Sequence, residues 1–418
     1  MTALSRRRGW AAALAVLTVL VSAVGCGRQV RHNGGPAPIR IGLLVSLSGT
    51  YKAVGADLRD GFQLYLATHG NRLGGHAVQV ITADEGDGPP TAVPAATKLI
   101  KQDKVDVLTG IVGGGSVAAV YPLALGAQIP LVGSNGRPGF KSTEKNPDGT
   151  PKPPDISYVW HTSFLSDEPG AAIAQYVHDS EQGSVYAIGP DYQGGWDELR
   201  GFTDTFTKIG GVLANPDGKA TFTPFPQTDN FTPYFAKIKQ SGAKAVYCFY
   251  AGKSAIDFVR QYKQSDIADL PLYAAGFLTE GSVLQAEGPA ATGIWTVLNY
   301  APTLDNPTNR GFVSAWAADI GADGKPKHDG PPTTYAMASW DAAALLDRAI
   351  ADAGPNPTPK TINDAIGRVG RIDSPRDSWQ FSAKTHSPIQ TWYLRRVGPD
   401  GQALSNVKVS NLATLPTS

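Results

Sequence analysis

Residues 113–116 read Gly-Gly-Gly-Ser, between an apolar segment at 105–112 and an alanine-rich one that follows. A bare backbone at such a junction suits three chemistries: a phosphate cradle, a serine nucleophile, or a seat for a small ligand. A phosphate loop needs Lys and then Ser/Thr directly after its last glycine, but Ser116-Val117-Ala118 stand there. A dinucleotide fingerprint is also missing. Gly114-Gly115-Ser116-Val117-Ala118 echoes a nucleophile elbow, with Ala118 where the last glycine belongs. A secreted serine hydrolase using Ser116 would draw its base from His161, His178, His328 or His386. None of these has triad-like surroundings, and no HGGG-type oxyanion loop precedes Ser116. The chain is therefore expected not to be an enzyme. The remaining reading is a ligand seat: glycines that end a strand and open a helix leave N–H groups facing a crevice, where the helix dipole favours a carboxylate. The bland alternative is that the glycines only permit close helix–sheet packing.

The elements that would position this turn alternate between strand and helix patterns. Segments 39–47, 76–84, 105–112 and 127–135 read as strands; 54–70 and 91–103 carry helical spacing, with Gly70 as a C-cap. After a proline-rich polar excursion at 139–155 the pattern restarts. Strands are expected at 183–191, 243–252 and 270–277, and helices at 196–210 and 253–266. This alternation predicts an α/β fold with two halves, each a mostly parallel sheet covered by helices. Ligands in such sheets bind outside the carboxyl ends of the strands.

The start of the chain carries Arg6, Arg7 and Arg8, an uncharged apolar stretch, and then Ala23-Val24-Gly25-Cys26. This order describes a secretory signal, and its end resembles a bacterial lipobox, which implies cleavage before Cys26 and a lipid on its sulfur. Residues 27–38 read as a flexible tether. Of 2 cysteines, Cys248 is left without a partner and sits in the apolar run AVYCFY, as a buried inert thiol would. Net charge is +1 with balanced signs, which gives no footprint for nucleic acid. No cluster of Cys, His and acids has metal-ligand spacing, and no cofactor is expected.

The first half resembles the type I solute-binding proteins of ABC transporters, in particular the Leu/Ile/Val-binding branch. The resemblance rests on Ile39-Arg40-Ile41-Gly42, Ser46-Leu47-Ser48-Gly49, Gly55, Gly61, Gly74-Gly75 and Asp84. It continues through GPDYQGGWDEL (189–199), FTPYFAKIKQSGAKAVY (231–247) and YAMASWDAAALLDRAIADAG (335–354), and covers residues 39 to about 400. It implies a two-lobed clamp with three crossovers, near Trp160, Ile294 and Asp377, that closes on a solute. The lobes would comprise 39–160 plus 295–376 and 161–294 plus 377–410. The implied function is an extracytoplasmic, lipid-anchored binding protein of an ABC importer, with permease subunits as partners. A clamp that signals to a membrane receptor is the alternative.

Family roles carry over unevenly. The carboxylate-binding turn falls on Gly113–Ser116, with glycine in place of the usual serine, so Gly114, Gly115 and Ser116 are its candidates. Ser134 and Asn135 stand in for an Ala-Thr pair. The carboxylate that meets an α-ammonium aligns with Gly276, with Glu280 and Asp191 nearby in sequence. That departure argues against a branched-chain amino acid as ligand and leaves other amino acids, amides and aromatic or aliphatic acids. Aromatic residues expected at the cleft are Tyr51, Trp160, Tyr192, Trp196, Tyr250 and Phe277.

Overall fold

The computed structural model describes residues 37–139, 153–225, 228–401 and 403–416. Cys26, its signal segment and most of the 139–155 excursion lie outside these residues. The first sheet contains β1 (Ile39–Val45), β2 (Arg72–Leu73), β3 (His76–Asp84), β4 (Val107–Gly110), β5 (Leu131–Gly133) and β6 (Val159–His161). Their order is β2-β3-β1-β4-β5-β6, parallel except for the β2–β3 pair. Helices α1 (Lys52–Thr68), α2 (Pro89–Lys101) and α3 (Gly114–Ala127) connect these strands.

The chain then runs through α4 (Glu168–Glu181), β7 (Val185–Pro190), α5 (Gln193–Lys208), β8 (Thr221–Thr223), α6 (Thr232–Ser241) and β9 (Ala245–Cys248). It continues with α7 (Gly252–Lys263), β10 (Leu272–Ala275), α8 (Ser282–Glu287) and β11 (Trp295–Leu298). Helices α9 (Pro307–Ala317), α10 (Thr334–Asp352) and α11 (Pro359–Ile366) precede β12 (Gln380–Phe381), β13 (Pro388–Asp400) and β14 (Ala403–Leu415). The second sheet has the order β12-β13-β11-β10-β9-β7-β8, with β14 paired to β13.

Both sheets are covered on two faces, so their central strands are apolar throughout rather than alternating. Leu99, Val117 and Val120 of α2 and α3 pack on Leu44, Leu108 and Leu131, while Phe62, Leu346 and Ile362 close the opposite face over Ile41 and Val107. In the second lobe, Ile173 and Phe202 cover one side of the sheet, and Phe235 and Phe258 the other. Cys248 is fully buried there.

Two expectations change. The second passage between lobes was placed at Ile294, yet β11 pairs with β10 and β13 inside the second sheet, so the chain leaves that sheet after Leu298. β11 therefore belongs with the lobe that holds β10. The strand expected at 105–112 is only Val107–Gly110, because the turn toward α3 begins at Ile111 with a left-handed backbone, φ 63°. Where the lobes join, the fully buried Arg376 holds Asp341 of α10 at 3.0 Å, and donates to Gln390 of β13 at 2.8 Å and to the Ser163 carbonyl at 3.3 Å. One cation thus ties three segments together.

Candidate functional site

Strand β4 delivers Val112-Gly113-Gly114 to the carboxyl end of the first sheet, where α3 begins. The first N–H groups of a helix have no partner within it. Two N–H groups just ahead of α3 are taken: the Glu85 carboxylate accepts from Val112 N at 2.6 Å and Gly113 N at 2.8 Å. Glu85 is buried, and that burial pushes its carboxyl up to about 7, against the pull of those donors and the Ser116 hydroxyl. Sequence reasoning missed Glu85. Its signal was the position directly after the strand-ending Asp84, one turn away from the glycines in the sheet order.

Around this turn residues of both lobes line a small cavity. Tyr51, Val54, Asn135 and Tyr335 reach it from the first lobe, Phe164 and Ser166 from the passage after β6. Tyr192, Glu198, Phe249 and Phe277 reach it from the second. Six of these residues carry rings, and the rings form a continuous belt. Tyr51 stands 6.5 Å from Tyr192, Tyr192 stands 6.3 Å from Phe249, and Phe249 meets Phe277 edge-on at 5.7 Å. Phe277 then stacks on Tyr335 at 5.9 Å and tilts against Phe164 at 5.5 Å. Such a wall takes flat, apolar ligand surface. Asn135 is fixed by donating its Nδ2 to the Val112 carbonyl at 2.8 Å.

Among the described residues lining the cavity, Glu198 is the sole carboxylic acid and no Lys, Arg or His takes part. Tyr247 donates its hydroxyl to Glu198 Oε1 at 2.5 Å, and burial pushes the Glu198 carboxyl up to about 8.

Five of the sequence candidates meet at this cavity: Tyr51, Gly114, Asn135, Tyr192 and Phe277. The others lie elsewhere. Gly115 faces Pro89, where an added Cβ would meet only ring carbons at 3.9 Å. Ser116 is fully buried beneath the turn, unlike the exposed hydroxyl of a nucleophile elbow. Ser134 is buried behind Asn135. Trp160 belongs to the first-lobe core, stacked on His386 at 3.9 Å and donating to Asn363 at 2.8 Å. Tyr250 sits in the second-lobe core between Phe231 and Phe258. Trp196 is 44% exposed and donates to Asp191 at 2.7 Å, outside the cavity. Apolar aromatic residues near strand ends look alike in sequence, and only packing separates core from cleft.

The Gly276 position is occupied in an unforeseen way. The Arg395 guanidinium of β13 lies where a side chain at 276 would go: an added Cβ would fall 2.3 Å from its Nη2. Arg395 is fully buried, pairs with Glu280 at 3.0 Å and donates to the Tyr300 carbonyl at 2.9 Å. Glu280 also accepts from Thr334 N at 2.7 Å. Glu280 is therefore consumed inside the protein, and neither it nor Asp191 reaches the cavity as a counter-charge.

The periplasmic binding protein family model matches residues 38–402. Leu/Ile/Val-binding protein homolog 6 of Brucella melitensis is 27% identical over 363 residues, 86% of this chain and 87% of that protein. An R. palustris solute-binding protein of an ABC transporter, solved with benzoate, is 29% identical with a TM-score of 0.78, over 90% of this chain and 97% of its own. A second from R. palustris, solved with 4-hydroxybenzoate, is 26% identical with a TM-score of 0.79, over 91% and 98%.

Proposed function

This chain belongs to the periplasmic binding protein family, as a type I solute-binding protein of the ABC-transporter kind, and from that premise we propose that its solute is a small aromatic carboxylic acid. The carrying observation is the belt of six rings around a cavity that offers no ionised partner to an ammonium. An α-amino acid would bury its ammonium in a cavity whose one carboxyl, Glu198, is raised to about 8. A buried charge without a partner is strongly disfavoured. A ring acid places its face on the aromatic belt and its carboxylate toward the start of α3, where backbone N–H groups and the helix dipole favour an anion. Binding of benzoate and of 4-hydroxybenzoate by two relatives supports this class.

Capture proceeds by closure of the two lobes, the second sheet supplying Tyr192, Phe249 and Phe277 to the same cavity as Tyr51 and Tyr335. The protein works in an importer, held at the membrane by a lipid on Cys26. Metabolic labelling with a fatty acid tests the anchor: the label should enter the wild type and be lost in Cys26→Ser.

Thermal melting with benzoate, hydroxybenzoates, leucine and valine tests the ligand class. Ligand at a hundredfold over its Kd stabilises by about 2.7 kcal/mol, so ring acids should raise the midpoint by several degrees and leucine should leave it unmoved. A shift with leucine alone would overturn the reading.

A further inference from the structure

We propose that Glu198 sets specificity within this site by hydrogen-bonding a hydroxyl group on the ligand's ring, so that the preferred solute is a hydroxylated benzoate rather than benzoate itself. The inference rests on the aromatic-acid reading above and narrows it. Glu198 projects from the first half of α5 into the cavity wall and is 1% exposed. Oε1 accepts from the Tyr247 hydroxyl at 2.5 Å, and that ring stacks on Phe202 at 3.9 Å, so the carboxyl is held in place from β9.

The charged groups around Glu198 decide which form it takes. Asp197 on the same helix and Asp167 before α4 both add negative potential, and both raise its proton affinity beyond the effect of burial. The nearby cation, Arg200, is already engaged by Asp197 at 2.7 Å and Asp167 at 3.3 Å. The Tyr192 and Tyr247 hydroxyls complete the surroundings, and burial holds both in the neutral O–H form. Tyr247 and the Gly170 N–H already donate to this carboxyl, so as a carboxylic acid Glu198 has its O–H to offer to the cavity. A phenolic oxygen accepts that hydrogen bond and so matches it. An ammonium donates only, and a bare ring edge leaves the acid unpaired in an apolar wall. A site built to bond a ligand hydroxyl discriminates against the analogue that lacks it far more than an apolar wall does.

The test is isothermal titration of the whole mature protein with benzoate, 3-hydroxybenzoate and 4-hydroxybenzoate, using wild type, Glu198→Gln and Glu198→Leu. One hydroxybenzoate should bind the wild type at least about tenfold more tightly than benzoate. Glu198→Gln, which keeps a donor and an acceptor, should preserve that preference and abolish its decline as pH rises through 8. Glu198→Leu should erase the preference while benzoate affinity stays within about threefold. If Glu198→Leu does not fold, the pH response of Glu198→Gln still decides. Equal binding of all three acids by the wild type, or a preference that survives Glu198→Leu, overturns the role of Glu198 and leaves the aromatic-acid reading standing. Binding of leucine that Glu198→Gln destroys, with no ring acid bound, overturns both.

Discussion

The turn after β4 and the turn after β10 stand at the carboxyl ends of parallel strands in the two sheets, and each is bared by glycine. At Gly114 an added Cβ would meet nothing nearer than a Pro138 carbon at 3.6 Å, so the space beside the backbone is open and forms cavity wall. At Gly276 the same addition would strike the Arg395 guanidinium at 2.3 Å. One glycine leaves open space in the cavity wall, and the other makes room for the protein's own cation. The contrast shows why a missing side chain is ambiguous: absence in sequence does not say what fills the gap.

The largest effect should come from removing that charge. Arg395→Met strands Glu280, buried and bonded to Thr334 N, and should cost about 3–5 kcal/mol, with Arg395→Met/Glu280→Leu recovering much of the loss. Chemical denaturation checks both; a loss under about 1 kcal/mol would mean that the pair is not a structural unit. Next in size, Gly276→Ala forces the guanidinium aside and should cost about 1–3 kcal/mol by overpacking. Gly276→Glu should not create leucine binding in a titration, since Arg395 and not a ligand would receive the added carboxylate.

A smaller effect follows from three buried acids. Burial raises Glu85 to about 7 and Glu168 and Glu198 to about 8, from an ordinary 4.5. In this range the unfolded chain binds fewer protons than the folded one, so their contribution is fully present below pH 4.5 and is lost as pH rises through 7 to 8. The melting midpoint should fall across that window, and Glu198→Gln should reduce the slope. The smallest effect separates two neighbours. Gly114→Ala and Gly115→Ala should each change stability by no more than about 1 kcal/mol, in the direction of helix propensity. Titration should show weaker ring-acid binding only for Gly114→Ala, because Gly115 faces Pro89.

Much of the fold was legible because burial on both faces of a parallel sheet leaves apolar runs such as IRIGLLV and AVYC between helical periods. The β11 boundary was not legible, since a four-residue apolar strand reads the same in either lobe. In the site, Tyr51, Gly114, Asn135, Tyr192 and Phe277 stood at the ends of readable strands. Trp160 and Tyr250 stood at similar ends and turned inward to pack. Phe164, Phe249, Tyr335 and Glu198 carried no local mark that told them from core or surface.

By itself the sequence determined the alternation of strands and helices, the family, the glycine turn and the lack of an acid at 276. These depend on periodicity and on residues close in the chain. The tertiary structure decided that Arg395, 119 residues after Gly276, occupies that gap, that Glu85 caps the turn before α3, and which rings face the cavity. Those are long-range contacts, and a chain read locally cannot say which distant charge will be carried to which glycine.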